Sequence, residues 1–222
     1  MTSLRKLVFV DLEEGETAHL SDENQRLSLA YEELTDMPYN LLDCYAGYVH
    51  TLDLTYNKFR TVDFLSEFVN LTSLILDHNE IDSDTVFPGL HKLKLLWLNH
   101  NKVSDLYPFI QNLQKSCPNL QHLSLMGNAA APSCLNGGSI YDHLQYRLFV
   151  ISWFDDLIHL DDRAVDEDQR KEACRLFRRP LLTRLRVEAS LPSHLRKIKA
   201  SFSSLLGGWS DIILHKQSNA VV

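Results

Sequence analysis

The apolar positions of this chain repeat with a fixed grammar. Aligned on asparagine, VHTLDLTYNKF (49–59), LTSLILDHNEI (71–81), LKLLWLNHNKV (93–103) and LQHLSLMGNAA (120–130) share an LxxLxLxxN pattern. The asparagines fall at 57, 79, 101 and 128, a period of 22, 22 and then 27 residues. A degenerate unit, LSLAYEEL (27–34), precedes them with Glu32 in the asparagine position, and FDDLIHLDD (154–162) follows. Self-similarity at this period is the signature of a solenoid built from one short strand per coil. The two leucines of each LxL core point inward and stack on those of the next coil, because one coil cannot bury its apolar face alone. Each asparagine stands where the chain leaves the sheet and backbone groups need partners. The pattern predicts an α/β leucine-rich repeat solenoid of about six coils, with a concave parallel β-sheet and a helical or irregular convex side. FLSEFVN (64–70) and LYPFIQNLQKSCPN (106–119) carry apolar residues at helical spacing and are expected on that convex side, the second accounting for the long fourth period.

Both ends of a solenoid need closing. Residues 141 to 175 read as a helix, a degenerate strand and a second helix that Asp166 caps, with Glu167 and Asp168 in its first turn, where carboxylates suit the helix dipole. LRKLVFVDL (4–12) is the candidate strand over the first coil. Beyond the cap, Leu191, Leu195, Ile198, Phe202, Leu205 and Leu206 line one face of a helix, with Arg196, Lys197 and Lys199 off it; Pro192 and Gly207-Gly208 punctuate its ends. The predicted organisation is an N-terminal cap at 1–24, repeats at 25–140, a C-terminal cap at 141–178 and a basic amphipathic tail at 179–222.

Period-2 alternation sends the residues between and after the strand leucines to the concave surface. One row is Asp53, Ile75, Trp97 and Ser124; the next is Thr55, Asp77, Asn99 and Met126; a third, just before asparagine, is Tyr56, His78, His100 and Gly127. Ile75, Trp97, Leu95 and Met126 form an apolar island edged by Asp53, Asp77 and Asn99. Either the chain's own returns, cap or tail cover this island, or it is tolerated surface, or it is a protein-binding platform, since an apolar patch with a polar rim and a tryptophan anchor is the usual anatomy of an interface. His78 and His100 are expected to be neighbours on successive coils. Without a third and fourth ligand in the pattern, they point to pH-sensitive contact rather than to a metal.

Composition adds limits. With 222 residues, 45% apolar and 23% charged, the chain is an ordinary globular one. It has no run of about 20 apolar residues suited to a membrane span and no secretory apolar core near its start, so a cytoplasmic location is expected. Cys44, Cys117, Cys134 and Cys174 form no CxxC pair and read as reduced thiols. Asn70-Leu71-Thr72 fits a glycosylation acceptor by chance. Residues 176 to 222 hold eight Lys/Arg against two acids, a net +6, whereas the rest carries −13. An acidic body argues against direct nucleic-acid binding, while the tail has the charge for peripheral contact with an acidic membrane. No phosphate-binding, zinc-protease, nucleophile-elbow or dinucleotide motif is present, and no catalytic residue, metal site or cofactor is assigned.

The stretch LILDHNEIDSDTVFPGLHKLKLLWLNHNKVSDL, followed by CPNLQHLSLMGNAAAPSC and YRLFVISWFDDLIHLDDRAV, resembles the leucine-rich melanocyte differentiation-associated protein family across about residues 50 to 178. The more specific features are FPGL after the third unit, the long return ending in CPNL, the LSLMGN strand and the cap containing Tyr146-Arg147. That cap is similar to the terminal cap of small intracellular leucine-rich repeat proteins, with Val150, Leu157, Leu160-Asp161, Val165, Arg170 and Ala173 in the expected places. The resemblance implies a non-enzymatic adaptor in pigment-cell differentiation that connects a Rab-family small GTPase on lysosome-related organelles to the Retriever endosomal recycling complex, through the extreme C-terminal tail. This chain departs there: it ends in HKQSNAVV, without the acidic residues and terminal leucine of that pattern. The tail positions assigned to interaction are Leu195, Ile198, Phe202 and Leu206. Two other readings stay open, a spliceosomal A-prime-like subunit holding an RNA-binding partner protein and a ciliary or centrosomal scaffold.

Overall fold

The computed structural model describes residues 25–133 and 136–177. Six short strands, β1 (Arg26–Ser28), β2 (Thr51–Asp53), β3 (Ser73–Ile75), β4 (Leu95–Trp97), β5 (His122–Ser124) and β6 (His159–Leu160), pair in chain order as a parallel sheet. A two-residue β7 (Arg163–Ala164) adds antiparallel to β6. Register is set by the leucines: Leu27, Leu52, Leu74, Leu96, Leu123 and Leu160 align across all six strands. These leucines and their partners Leu54, Leu76, Leu98 and Leu125 are buried. A one-residue slip would turn every one of them out to solvent, so the hydrophobic pattern and the ladder enforce the same register. The result is the expected leucine-rich repeat solenoid.

Strand starts at 26, 51, 73, 95, 122 and 159 are separated by 25, 22, 22, 27 and 37 residues, and the spacing decides what each return can hold. The long ones carry α-helices: α1 (Tyr39–Tyr45), α2 (Leu106–Ser116) and α3 (Ile140–Ile151). The two 22-residue coils carry none. FLSEFVN, expected to be helical, holds four residues of a five-residue 3₁₀ turn (Asp63–Glu67) and no α-helix, and the return after β3 is irregular. Two α-turns do not fit between strands so closely spaced, whereas a tighter turn still delivers Leu65 and Phe68 to the interior. Phe59, Phe64 and Phe68, with ring centroids 5.3 and 6.4 Å apart in succession, fill the space behind β2 and β3.

Four asparagines, Asn57, Asn79 and Asn128 buried and Asn101 partly so, bind the coils together. The Nδ2 of Asn79 donates to the Leu76 carbonyl in its own coil at 3.1 Å and to the Leu54 carbonyl one coil earlier at 2.9 Å, while its Oδ1 accepts from the Phe59 N–H at 3.0 Å. Asn57, Asn101 and Asn128 repeat this arrangement, with their oxygens accepting from Leu34, Ile81 and Val103. Each amide satisfies backbone groups that the turn would otherwise strand inside the protein.

At the far end, Ser139 and Asp142 form a reciprocal capping box that starts α3, and the Asp166 carboxylate accepts from the Gln169 N–H at 2.7 Å to start α4 (Glu167–Phe177). Two arginines fasten these helices to β6, β7 and the segment that leads into them. Arg147, buried, donates to the Leu160 and Ala164 carbonyls and to Gln169 Oε1; Arg170 donates to the Phe154 and Leu157 carbonyls. The candidate strand at 4–12 and the tail helix at 191–206 lie outside the described residues. No helix among the described residues is long and apolar enough to cross a membrane.

Candidate functional site

The concave face follows from the register. Asp53, Ile75, Trp97 and Ser124 stand in one row across β2 to β5, and Thr51, Ser73, Leu95, His122 and His159 in the row before it. Between the fully buried Leu96 and Leu98, Trp97 is 40% exposed, so the indole faces solvent from the middle of the sheet. Ile75 and Leu95 are half-buried beside it, and Met126 is 42% exposed. Trp97 and Met126 are thus open to solvent and Ile75 and Leu95 partly so, and no described segment of the chain covers the tryptophan.

The polar residues expected to edge this island are already engaged. Asp53 accepts from the Arg26 guanidinium at 2.6 Å and from the Thr55 hydroxyl at 2.6 Å. Asp77 accepts from the Asn99 backbone N–H at 2.8 Å and from its amide at 3.2 Å. The Asn99 oxygen in turn accepts from the Ser124 hydroxyl at 2.6 Å and the Met126 N–H at 2.9 Å. Asp77, Asn99 and Ser124 thus form a chain of hydrogen bonds from β3 to β5 that holds the surface rigid. Their role in the geometry is to orient the sheet around Trp97, and the apolar side chains are what remains open to a partner.

The third row forms a stack. Tyr31, Tyr56, His78 and His100 all have left-handed backbone, with φ between 55° and 68°, at the point where each coil turns off the sheet. Their rings lie face to face with centroids 4.6, 4.0 and 4.4 Å apart. Left-handed backbone costs a non-glycine residue on the order of 1 kcal/mol, and each aromatic contact of this kind returns about as much. The stack ends at Gly127 because the His100 ring occupies the space where a side chain would begin: a Cβ on Gly127 would lie 2.4 Å from His100 Nδ1. Burial, with the neighbouring His100 second, lowers the pKa of His78 against the opposing pull of Asp77. A second pair, His122 and His159, stacks at 5.1 Å in the row before Trp97. The alignment of strands made these neighbours legible in principle, but the sequence reading paired only His78 with His100.

Among the described residues, no group of three histidine, cysteine or acidic side chains gathers to hold a metal. Cys44, Cys117 and Cys174 are free thiols, and burial pushes Cys117 up to about 12, where it stays protonated. Asn70, first residue of the glycosylation-like triplet, donates its amide to the Gly47 carbonyl at 2.8 Å. Leu195, Ile198, Phe202 and Leu206 lie outside the described residues.

No protein-family model matches the chain. Over 116 residues it is 39% identical to the leucine-rich melanocyte differentiation-associated protein of Homo sapiens, a match that covers 51% of this chain and 59% of that protein. Among solved structures it is similar to a chain in the crystal structure of the Drosophila melanogaster SNF/U2A′ complex, with a TM-score of 0.55 and 22% identity, covering 73% of this chain and 87% of the other. At that identity the likeness is one of fold.

Proposed function

We propose that this chain is a non-enzymatic adaptor that seats a folded protein on its concave face, with Ile75, Leu95, Trp97 and Met126 making the apolar contact and a Rab-family small GTPase as the partner. One observation carries the reading: a tryptophan 40% exposed at the centre of a sheet whose flanking leucines are fully buried. A soluble surface has no structural need for an indole there, and the hydrogen-bonded lattice of Asp77, Asn99 and Ser124 keeps the site in shape before a partner arrives, which lowers the ordering cost of binding. The 39% identity to the leucine-rich melanocyte differentiation-associated protein supports a setting in pigment-cell differentiation, and cytoplasmic work in endosomal and lysosome-related organelle trafficking is the part of the proposal that rests on the family resemblance.

The test is affinity capture from cells with wild type beside Trp97→Asp, followed by direct binding to the GTP-loaded GTPase. Completing the burial of the indole is worth about 1.5 to 3 kcal/mol, so the variant should bind one to two decades more weakly while keeping the wild-type circular dichroism spectrum. A variant that binds the GTPase as wild type does would sink the reading. Loss of a ribonucleoprotein subunit instead would favour the second reading, a spliceosomal A-prime-like subunit that holds an RNA-binding protein, for which the fold likeness to a chain of the SNF/U2A′ complex speaks.

A further inference from the structure

The apolar strip of Ile75 and Trp97 has a stacked histidine pair on each side along the strand direction. His78 and His100 follow it at the turn, centroids 4.4 Å apart, and His122 and His159 precede it in the row of Leu95, centroids 5.1 Å apart. Resting on the docking reading above, we propose that these two pairs make the concave face pH-gated, so that it holds an apolar, uncharged partner surface at neutral pH and releases it on acidification.

The reason is geometric. A partner seated on Trp97 reaches over both pairs and takes water from them. An imidazolium loses far more than a neutral imidazole when water leaves, and within a stacked pair two cations lie 4 to 5 Å apart with nothing but each other to face. The neighbouring charges do little to relieve this. Beside the first pair, Asp77 favours protonation of His78, yet both its oxygens already accept from Asn99, and the Tyr56 ring on the other side brings no charge. Past the asparagines, Glu80 is bound to Arg60 and Lys102. Beside the second pair, Lys94 precedes Leu95 on β4 and Arg163 of β7 follows β6, two positive groups, with Asp162 held 3.7 Å from Arg163. The bound face therefore keeps its histidines neutral, and the free face takes protons as pH falls. Linkage makes the two exclusive.

The experiment is equilibrium binding of a GTP-loaded Rab-family GTPase to the full chain between pH 7.5 and 5.5, with the GTPase's own fold and nucleotide load checked at each pH. Each proton that docking excludes steepens the loss of affinity on acidification, so with one proton excluded from each pair affinity should fall on the order of 100-fold across that range. The readout is the ratio of affinities at the two pH values within each protein. For His122→Gln/His159→Gln, which removes the second pair whole and leaves the first, the ratio should shrink to about 10. A flat profile for wild type, a rise in affinity on acidification, or the same ratio in the variant would overturn the gating and leave Trp97-dependent docking standing. Loss of the circular dichroism signal at pH 5.5 in both proteins would make release an unfolding event and overturn it too. Failure to bind at pH 7.5 would overturn the docking reading and the gating together.

Discussion

At the scale of single residues, the asparagines and the tryptophan show how differently two well-marked positions behave. Asn79 has all its capacity spent inside: three buried backbone groups from two coils depend on it. Asn79→Ala leaves them without partners, and at roughly 1 to 3 kcal/mol for each group stranded the loss should be about 3 to 5 kcal/mol after partial relaxation. Urea unfolding that shows a change below 1 kcal/mol would contradict this. Trp97 is the opposite case, a large apolar side chain left 40% exposed. Both were visible in the sequence, because a repeat allows a residue to be compared with its equivalents: asparagine recurs, tryptophan does not. The fate of Asp53, Asp77 and Asn99 was not visible. The pattern places them on the surface correctly, but whether a surface carboxylate waits for a partner or is taken by the next coil depends on side-chain reach between strands, which a one-dimensional pattern does not contain.

Among elements, β6 and the cap helices hold a carboxyl whose protonation bears on stability. Asp161 follows β6 with φ at 57°, and its carboxylate accepts from the Leu125 N–H at 2.9 Å. Burial raises its pKa, more than the Leu125 N–H, the Tyr146 hydroxyl, Arg147 and His143 together lower it. A carboxyl whose folded pKa lies above its unfolded one stabilises the fold at low pH and loses that contribution as pH rises through the folded value. At neutral pH the burial of its charge is a net cost. Asp161→Asn keeps an oxygen for Leu125, suits the left-handed backbone and removes the charge. Its thermal midpoint is expected to exceed that of wild type at pH 7 and to match it near pH 3, in paired scans; a lower midpoint at pH 7 would show that the carboxylate itself is needed. The second cap helix was legible from Asp166, since capping is local chemistry, whereas the Ser139–Asp142 box that starts the first was not read. Helix α1, the collapse of FLSEFVN to a 3₁₀ turn and the antiparallel β7 were not, because they depend on how much room neighbouring coils leave.

At the largest scale, the described coils pair strand to strand with their neighbours in chain order, so stability is shared along a line rather than through a common centre. Disturbance at one end should therefore fade with distance. Arg147→Met removes three donor contacts between α3 and the groups of β6, β7 and α4. Hydrogen exchange is expected to lose most protection in β6 and β5 and least in β2 and β3, a gradient that mass spectrometry of peptic fragments resolves. Uniform loss across all strands would mean that the coils unfold as one unit. The line of coils also explains why the fold was the most legible property of this chain: the LxLxxN unit is read several times over, and agreement among the copies outweighs the degenerate units at either end.

The amide brackets between coils carry one more implication. Because Asn79 and its equivalents clamp a strand to the one before it at a fixed offset, an extra residue within a strand would break the clamp on both sides, whereas extra residues in a return are absorbed, as the spacings of 25, 27 and 37 already demonstrate. Length can change on the outer rim of this molecule without moving the indole or the imidazoles relative to each other. Descendants of such a chain are free to acquire new outer surfaces while inheriting the same grip.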